Sequence, residues 1–125
     1  MFVQCNPNPK NARVGDCVIR AIVIAENSTW EKIYSELAAY GYIMCDMPSS
    51  NAVWGKYLKD KGWKRGVVED TCPDDCYTIR NFCENYPTGN YILGTGSHVV
   101  AVKDGNYYDT WDSGNESPIY YWKGK

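Results

Sequence analysis

The stretch Val18 to Ala25 restricts the fold most: seven of its eight residues are apolar, and the eighth is Arg20. A helix with that surface has no wet face and must be covered on most sides. It belongs at the centre of a domain. Asp16 stands just before the run and predicts a helix over Cys17 to Glu26, with Asp16 as cap and Arg20 as its i,i+4 partner. The run is far short of the roughly 20 apolar residues a membrane span needs. A chain of 125 residues, 44% apolar and 14% aromatic, is predicted to form one domain over 1–125 around one core.

The remaining pattern changes period part-way along the chain. Residues 1–14 hold Pro7, Pro9 and three asparagines, and are expected as an extended segment laid over the domain. Ser28-Thr29-Trp30-Glu31 reads as a capping box with Ser28 as cap, opening a second helix that ends at Gly41. A third helix is expected from Asn51 to Lys61, with Val53, Trp54, Tyr57 and Leu58 inward and Gly62 as its stop. Trp63 to Val68 reads as a strand, Asp70 to Cys76 as turn, and Thr78 as the cap of a short helix carrying Ile79, Phe82, Cys83 and Tyr86. Strands follow at Tyr91–Leu93, His98–Lys103, Asn106–Trp111 and Pro118–Trp122. Helices first and hairpins last predict an α+β domain, with a helical layer on one face of a C-terminal antiparallel sheet.

Cys17 and the only histidine, His98, are the residues that carry chemistry. A thiol attacks as the thiolate, and a helix start and a neighbouring imidazolium both lower its pKa from about 8.5. Asp104-Gly105 between alternating runs predicts a two-residue type I′ turn. With Lys103 opposite Asn106, Val102 faces Tyr107, Val100 faces Asp109 and His98 faces Trp111. Alternation then puts His98, Asp109 and Trp111 on one side of the hairpin, with Asp109 diagonal to His98. A three-residue turn would instead set Asp112 opposite His98 as the alternative acid. Asp16, Ser97 and Trp111 are expected to line the cleft.

The totals exclude several classes. A net charge of −2 with no basic cluster argues against a nucleic-acid partner. No apolar leader is evident near Met1, so the expectation is a cytoplasmic protein of a bacterial or phage-infected cell, with no membrane partner and with reduced thiols. Cys72, Cys76, Cys83 and His98 have the ligand types for zinc, but the two-residue spacing of a knuckle is missing, so no metal and no cofactor are expected.

These residues resemble the papain-like cysteine peptidase superfamily, and within it the bacteriocin-processing peptidase-like domains. The resemblance rests on Asp16-Cys17 at a helix start and on His98 and Asp109-Thr110-Trp111 in later strands. Gly15-Asp16-Cys17-Val18-Ile19-Arg20-Ala21-Ile22 and Tyr107-Tyr108-Asp109-Thr110-Trp111-Asp112 are also similar to small uncharacterised proteins of phages and Gram-positive bacteria. The resemblance implies a papain-like fold, a Cys17–His98–Asp109 triad and a peptide or protein substrate. It also implies an oxyanion donor six positions before the cysteine, which is Asn11 here in place of glutamine, with Gln4 as a substitute. Bulky Val18 departs from the small residue that usually follows the nucleophile. The expected function is a cysteine hydrolase acting on an amide bond through a thioester. The alternatives are a catalytically silent papain-like module that binds a host or partner protein, and an acyltransferase using the same triad.

Overall fold

A computed structural model describes residues 1–69, 71–72 and 74–124. The helices are α1 (Cys17–Glu26), α2 (Trp30–Met44), α3 (Asn51–Asp60) and α4 (Ile79–Asn85). The strands are β1 (Phe2–Gln4), β2 (Lys64–Val67), β3 (Asn90–Gly94), β4 (Val99–Lys103), β5 (Asn106–Asp109) and β6 (Tyr120–Lys123). They form one six-stranded sheet in the order β1-β5-β4-β3-β6-β2. The α+β class follows.

Alternation along the central strands makes two cores. Ile92, Val99, Ala101, Tyr120 and Trp122 pack with α1, α2 and α3, where Ile22, Leu37 and Leu58 are fully buried. Each such side chain contributes about 1.5–3 kcal/mol by leaving water. Tyr91, Leu93, Val100, Val102 and Tyr107 pack instead with Ile79, Phe82 and Cys83. Helices therefore cover both faces, not one as expected, because α4 turns its apolar side to the face that the longer helices leave open. The sheet also departs from the expected antiparallel form. β1 joins β5 in parallel, with Gln4 opposite Asp109, and a strand of three residues is too short to announce itself by period.

Both ends of α1 are tied to the sheet. At its C-terminal end Lys103 Nζ donates to the Ile24 carbonyl at 3.2 Å and the Asn90 amide donates to that of Ala25. Carbonyls of the last turn lack i+4 partners, the Ile24 carbonyl otherwise accepting, among the described residues, only from the Asn27 N–H at 3.3 Å, and the lysine suits the negative end of the dipole. The hairpin register is as read from Asp104-Gly105: Lys103 pairs with Asn106 and Val102 with Tyr107. Positive φ at both turn residues, 50° and 78°, is the type I′ geometry.

Several local expectations are corrected. Asp16 precedes α1 but makes no side-chain cap bond, because its carboxylate is drawn inward by Arg20. Thr29, not Ser28, caps α2, accepting from the Lys32 N–H at 3.3 Å. α2 runs through Gly41 to Met44 and stops at Cys45, in the left-handed region with φ 55°. β4, β5 and β6 are shorter than read, starting or stopping one to two residues inside the expected bounds. The expected turn from Asp70 to Cys76 includes Asp70 and Pro73, which lie outside the described residues. Cys72 and Cys76 are not reduced thiols but a disulfide, with their Cα atoms brought to 4.4 Å by the turn between them. Cys83 is buried under the sheet and His98 is engaged elsewhere, so the four potential zinc ligands are not gathered. Among the described residues no helix is long and apolar enough to cross a membrane.

Gly41 lies inside α2 because the chain returns across it. A Cβ there would sit 2.7 Å from the Asp46 carbonyl oxygen, which is backbone and cannot swing aside. Gly41→Ala should therefore lower stability by about 1–3 kcal/mol, despite the roughly 1 kcal/mol that alanine gains over glycine inside a helix. Urea denaturation measures this; an unchanged or raised midpoint would show that the Asp46–Pro48 turn yields.

Candidate active site

Cys17 is the first residue of α1, half-buried and in contact with the N-terminal edge of β4. Burial pushes its thiol up, but the hydrogen bond with His98, the Val99 N–H and the positive charges of His98 and Arg20 outweigh burial and bring its pKa below the usual thiol value. The thiolate is favoured there. A mainly apolar, buried helix supplies the position, with Cys17 at its half-buried start ahead of buried Val18, Ile19 and Arg20.

His98 precedes β4, and its Nε2 lies 2.6 Å from Asp109 Oδ2 at the end of β5. That contact commits Nε2 to the carboxylate and leaves Nδ1 for the thiol. Burial opposes the charge on the ring, yet the bonds to Asp109 and Cys17 and their negative charges prevail and raise the pKa to about 9. Trp111 shields the ring from the other side, with centroids 5.1 Å apart.

Asp109 is 3% exposed and fully satisfied. Its Oδ2 also accepts from Ser113 Oγ at 2.7 Å, and its Oδ1 from the Thr110 N–H at 2.8 Å. Burial would raise its pKa, but His98 and Ser113 overcome this and hold it below the usual carboxylate range. Asp112 does a different job. It pairs with Arg80 at 2.9 Å and takes bonds from the Tyr107 hydroxyl and the Gly114 N–H, well exposed and away from His98.

Four supporting residues were not identified as such from sequence: Arg20, Asn8, Trp30 and Ser113. Buried Arg20 pairs through Nη1 with Asp16 Oδ1 and reaches Asp109 Oδ1 through Nη2 at 3.7 Å. The helix that carries the thiol is thereby joined to the acid that orients the imidazole. Asp16 Oδ2 accepts from Trp30 Nε1 at 2.9 Å and from Asn8 Nδ2 at 3.2 Å. Asp16 is thus 4% exposed and lies behind the cleft, a correction to its expected place in the lining. Its cause is the same inward pull of Arg20. The one cation in an apolar helix was the available signal for this network; Asn8 and Ser113 had none.

A cleft of about 530 Å³ opens over Cys17 and His98, walled by Gln4, Asn6, Asn11 to Gly15, Ser97, Thr110 and Trp111. A smaller recess of about 210 Å³ continues beyond the same pair, bounded by Val18, Ser49, Asn51, Gly96 and Tyr120. Ser97 and Trp111 line the cleft as expected. Asn11 also lines it, with φ 52° and its Oδ1 accepting from Asn6 Nδ2 at 3.1 Å, while its NH2 group has no acceptor among the described residues. Gln4 lines the cleft too, but its Nε2 already donates to the Thr110 carbonyl at 2.9 Å.

No protein-family profile matches the chain, and no curated protein or solved structure matches it. The site has to be read from its own chemistry.

As the only histidine, His98 gives a single imidazole signal by NMR. That signal should titrate near pH 9 in the native chain and fall toward about 6.5 in Asp109→Asn, while Asp112→Asn leaves it in place. A fall in Asp112→Asn instead would reverse the assignment of the acid. Because the folded pKa of His98 is raised, the stability it contributes is fully present below about pH 6.5 and is lost as pH rises through about 9. Asp109, lowered on folding, contributes above the usual carboxylate value and loses its share as pH falls through its own.

Proposed function

We propose that this chain is a cysteine hydrolase of papain-like design that cleaves an amide bond in a peptide or protein. The observation that carries the reading is the ordered contact Cys17–His98–Asp109. A thiol with a lowered pKa meets one side of an imidazole whose other nitrogen is held by a buried acid, and the group opens to a cleft. A cysteine and histidine placed for packing alone would need neither the acid nor the opening. The α+β layout, with the nucleophile on a central helix and the base and acid on adjacent strands, agrees with that superfamily.

The lowered thiol and raised imidazole favour an ion pair as the attacking form. Cys17 reacts as a thiolate beside imidazolium His98. Sulfur attacks the carbonyl carbon, and the negative charge moves to the carbonyl oxygen. The backbone N–H of Cys17 and the free NH2 of Asn11 are the donors for that oxygen, one such donor being worth about 10²- to 10³-fold in rate. His98 gives its proton to the departing amine as the C–N bond breaks, leaving a thioester. It then takes a proton from water, whose oxygen attacks the thioester; the C–S bond breaks, the acyl group leaves as a carboxylic acid and the thiolate–imidazolium pair is restored. Asp109 stays ionised and keeps Nε2 engaged throughout.

Iodoacetamide mapping tests the reading. Cys17 should be alkylated below pH 7, ahead of Cys5, Cys45 and Cys83, and His98→Ala should remove that lead. Uniform slow labelling of all the free thiols would overturn it. The leaving amine needs imidazolium His98, so hydrolysis should decline as pH rises through about 9. Cys17→Ala should abolish turnover and Asp109→Ala should cost about 10²- to 10⁴-fold.

A further inference from the structure

We infer that Arg13 makes the larger cleft a receptor for carboxylates, so that the preferred substrate carries an acidic side chain or a free carboxyl group on that side of the bond cut. The inference rests on the hydrolase reading and adds the substrate's charge to it.

The chain as a whole is acidic, with 15 aspartates and glutamates against 13 lysines and arginines. Its cleft is the reverse. Neither the large lobe nor the recess beyond it has an aspartate or glutamate in its wall, whereas the large lobe has Arg13, Arg20 and His98. The nearest acids, Asp16 and Asp109, are buried behind the wall and already hold Arg20 and His98.

Arg20 and His98 are therefore neutralised from behind, and Arg13 is not. It is exposed on the cleft wall, and among the described residues it has no carboxylate or carbonyl partner. A guanidinium in that condition offers a planar fork of donors matched to a carboxylate. The rest of the lobe suits the same guest. Gln4, Asn6, Asn11, Ser97 and Thr110 provide neutral polar groups and no repelling charge.

The segment bearing Arg13 is also held in place. Asn8 Oδ1 accepts from the N–H groups of Lys10 and Ala12 at 2.9 and 3.3 Å, and Asn8 Nδ2 donates to Asp16. Asp16 is in turn bound to Arg20 and Trp30. The backbone that presents Arg13 is thus fastened to the same buried network that orients the triad, which limits the ordering cost of binding. The recess on the far side of Cys17 is small and, apart from the Cys17–His98 pair it shares with the larger lobe, has no charged side chain in its wall, so the two sides of the bond are read by different chemistry.

Three maleimides of equal chain length, ending in a carboxylate, a methyl ester and an ammonium, test this without a known substrate. Their second-order rates of reaction at Cys17 are read by peptide mass spectrometry, with Cys45 as an internal standard. The carboxylate reagent should lead the ester by about fivefold at low ionic strength and the ammonium reagent should trail, as expected for one partly solvated charge pair. Arg13→Gln should erase the lead, Arg13→Glu should reverse it, Arg13→Lys should keep most of it, and 0.5 M salt should shrink it. An unchanged order in Arg13→Gln, with Cys17 still the fastest thiol, overturns the inference and leaves the hydrolase reading standing. Slow reaction of Cys17 with all three reagents overturns both.

Discussion

The side chain of Arg20 is the contact on which the site depends. It is a guanidinium inside the protein, 8% exposed, set between the carboxylates of Asp16 and Asp109. Little of the group reaches water, so no member is safely left alone; removing one partner of a buried pair costs on the order of 3–5 kcal/mol because the other stays charged and poorly solvated. The network therefore holds its own geometry. It connects the start of α1, the end of β5 and, through Asn8, the N-terminal segment, which are the three pieces that surround Cys17.

The two cores give that network its rigidity. α1 is bonded at its C-terminal end to Lys103 and Asn90 and at its N-terminal end through the Arg20 link to Asp109, which fixes its register against β4 and β5 at both ends. The thiol then meets His98 at the half-buried first residue of the helix. α4 on the opposite face supports β4 and β5 from below through Phe82, Val100 and Tyr107, and its Arg80 takes Asp112 away from the imidazole. One acid orients the base because the other is otherwise engaged. Thiol, base and acid thus owe their relative positions to packing on both sides of one sheet.

Much of this was legible in the chain. The bounds of α1, the inward residues of α3, the Thr78 cap and the register of the β4–β5 hairpin follow from local rules: periodicity, capping chemistry and the positive φ that Asp-Gly accepts. The choice of Asp109 over Asp112 came from that register, because side chains alternate on a strand, together with the resemblance carried by Asp109-Thr110-Trp111. What was not legible had no local signature. The parallel pairing of β1 with β5 and the cover that α4 gives the second face depend on which distant segment lies alongside; the passage of α2 beyond Gly41 and the Cys72–Cys76 disulfide are local but carry no periodic signal.

The sequence by itself determined that Cys17 opens a buried helix and that His98 and Asp109 share one side of a hairpin, since both are consequences of repeats a few residues long. The i,i+4 pairing of Asp16 with Arg20 was also legible, but only the tertiary structure decided that these two pieces meet, and that Asp16 is buried with Arg20 instead of capping its helix or lining the cleft. It also decided that Arg13 is left on the cleft wall without an acid. The physical reason is that charge pairing in a dry interior is settled by proximity in space. An arginine four residues from one aspartate and 89 from another can bind both only after the helix has been laid across the sheet.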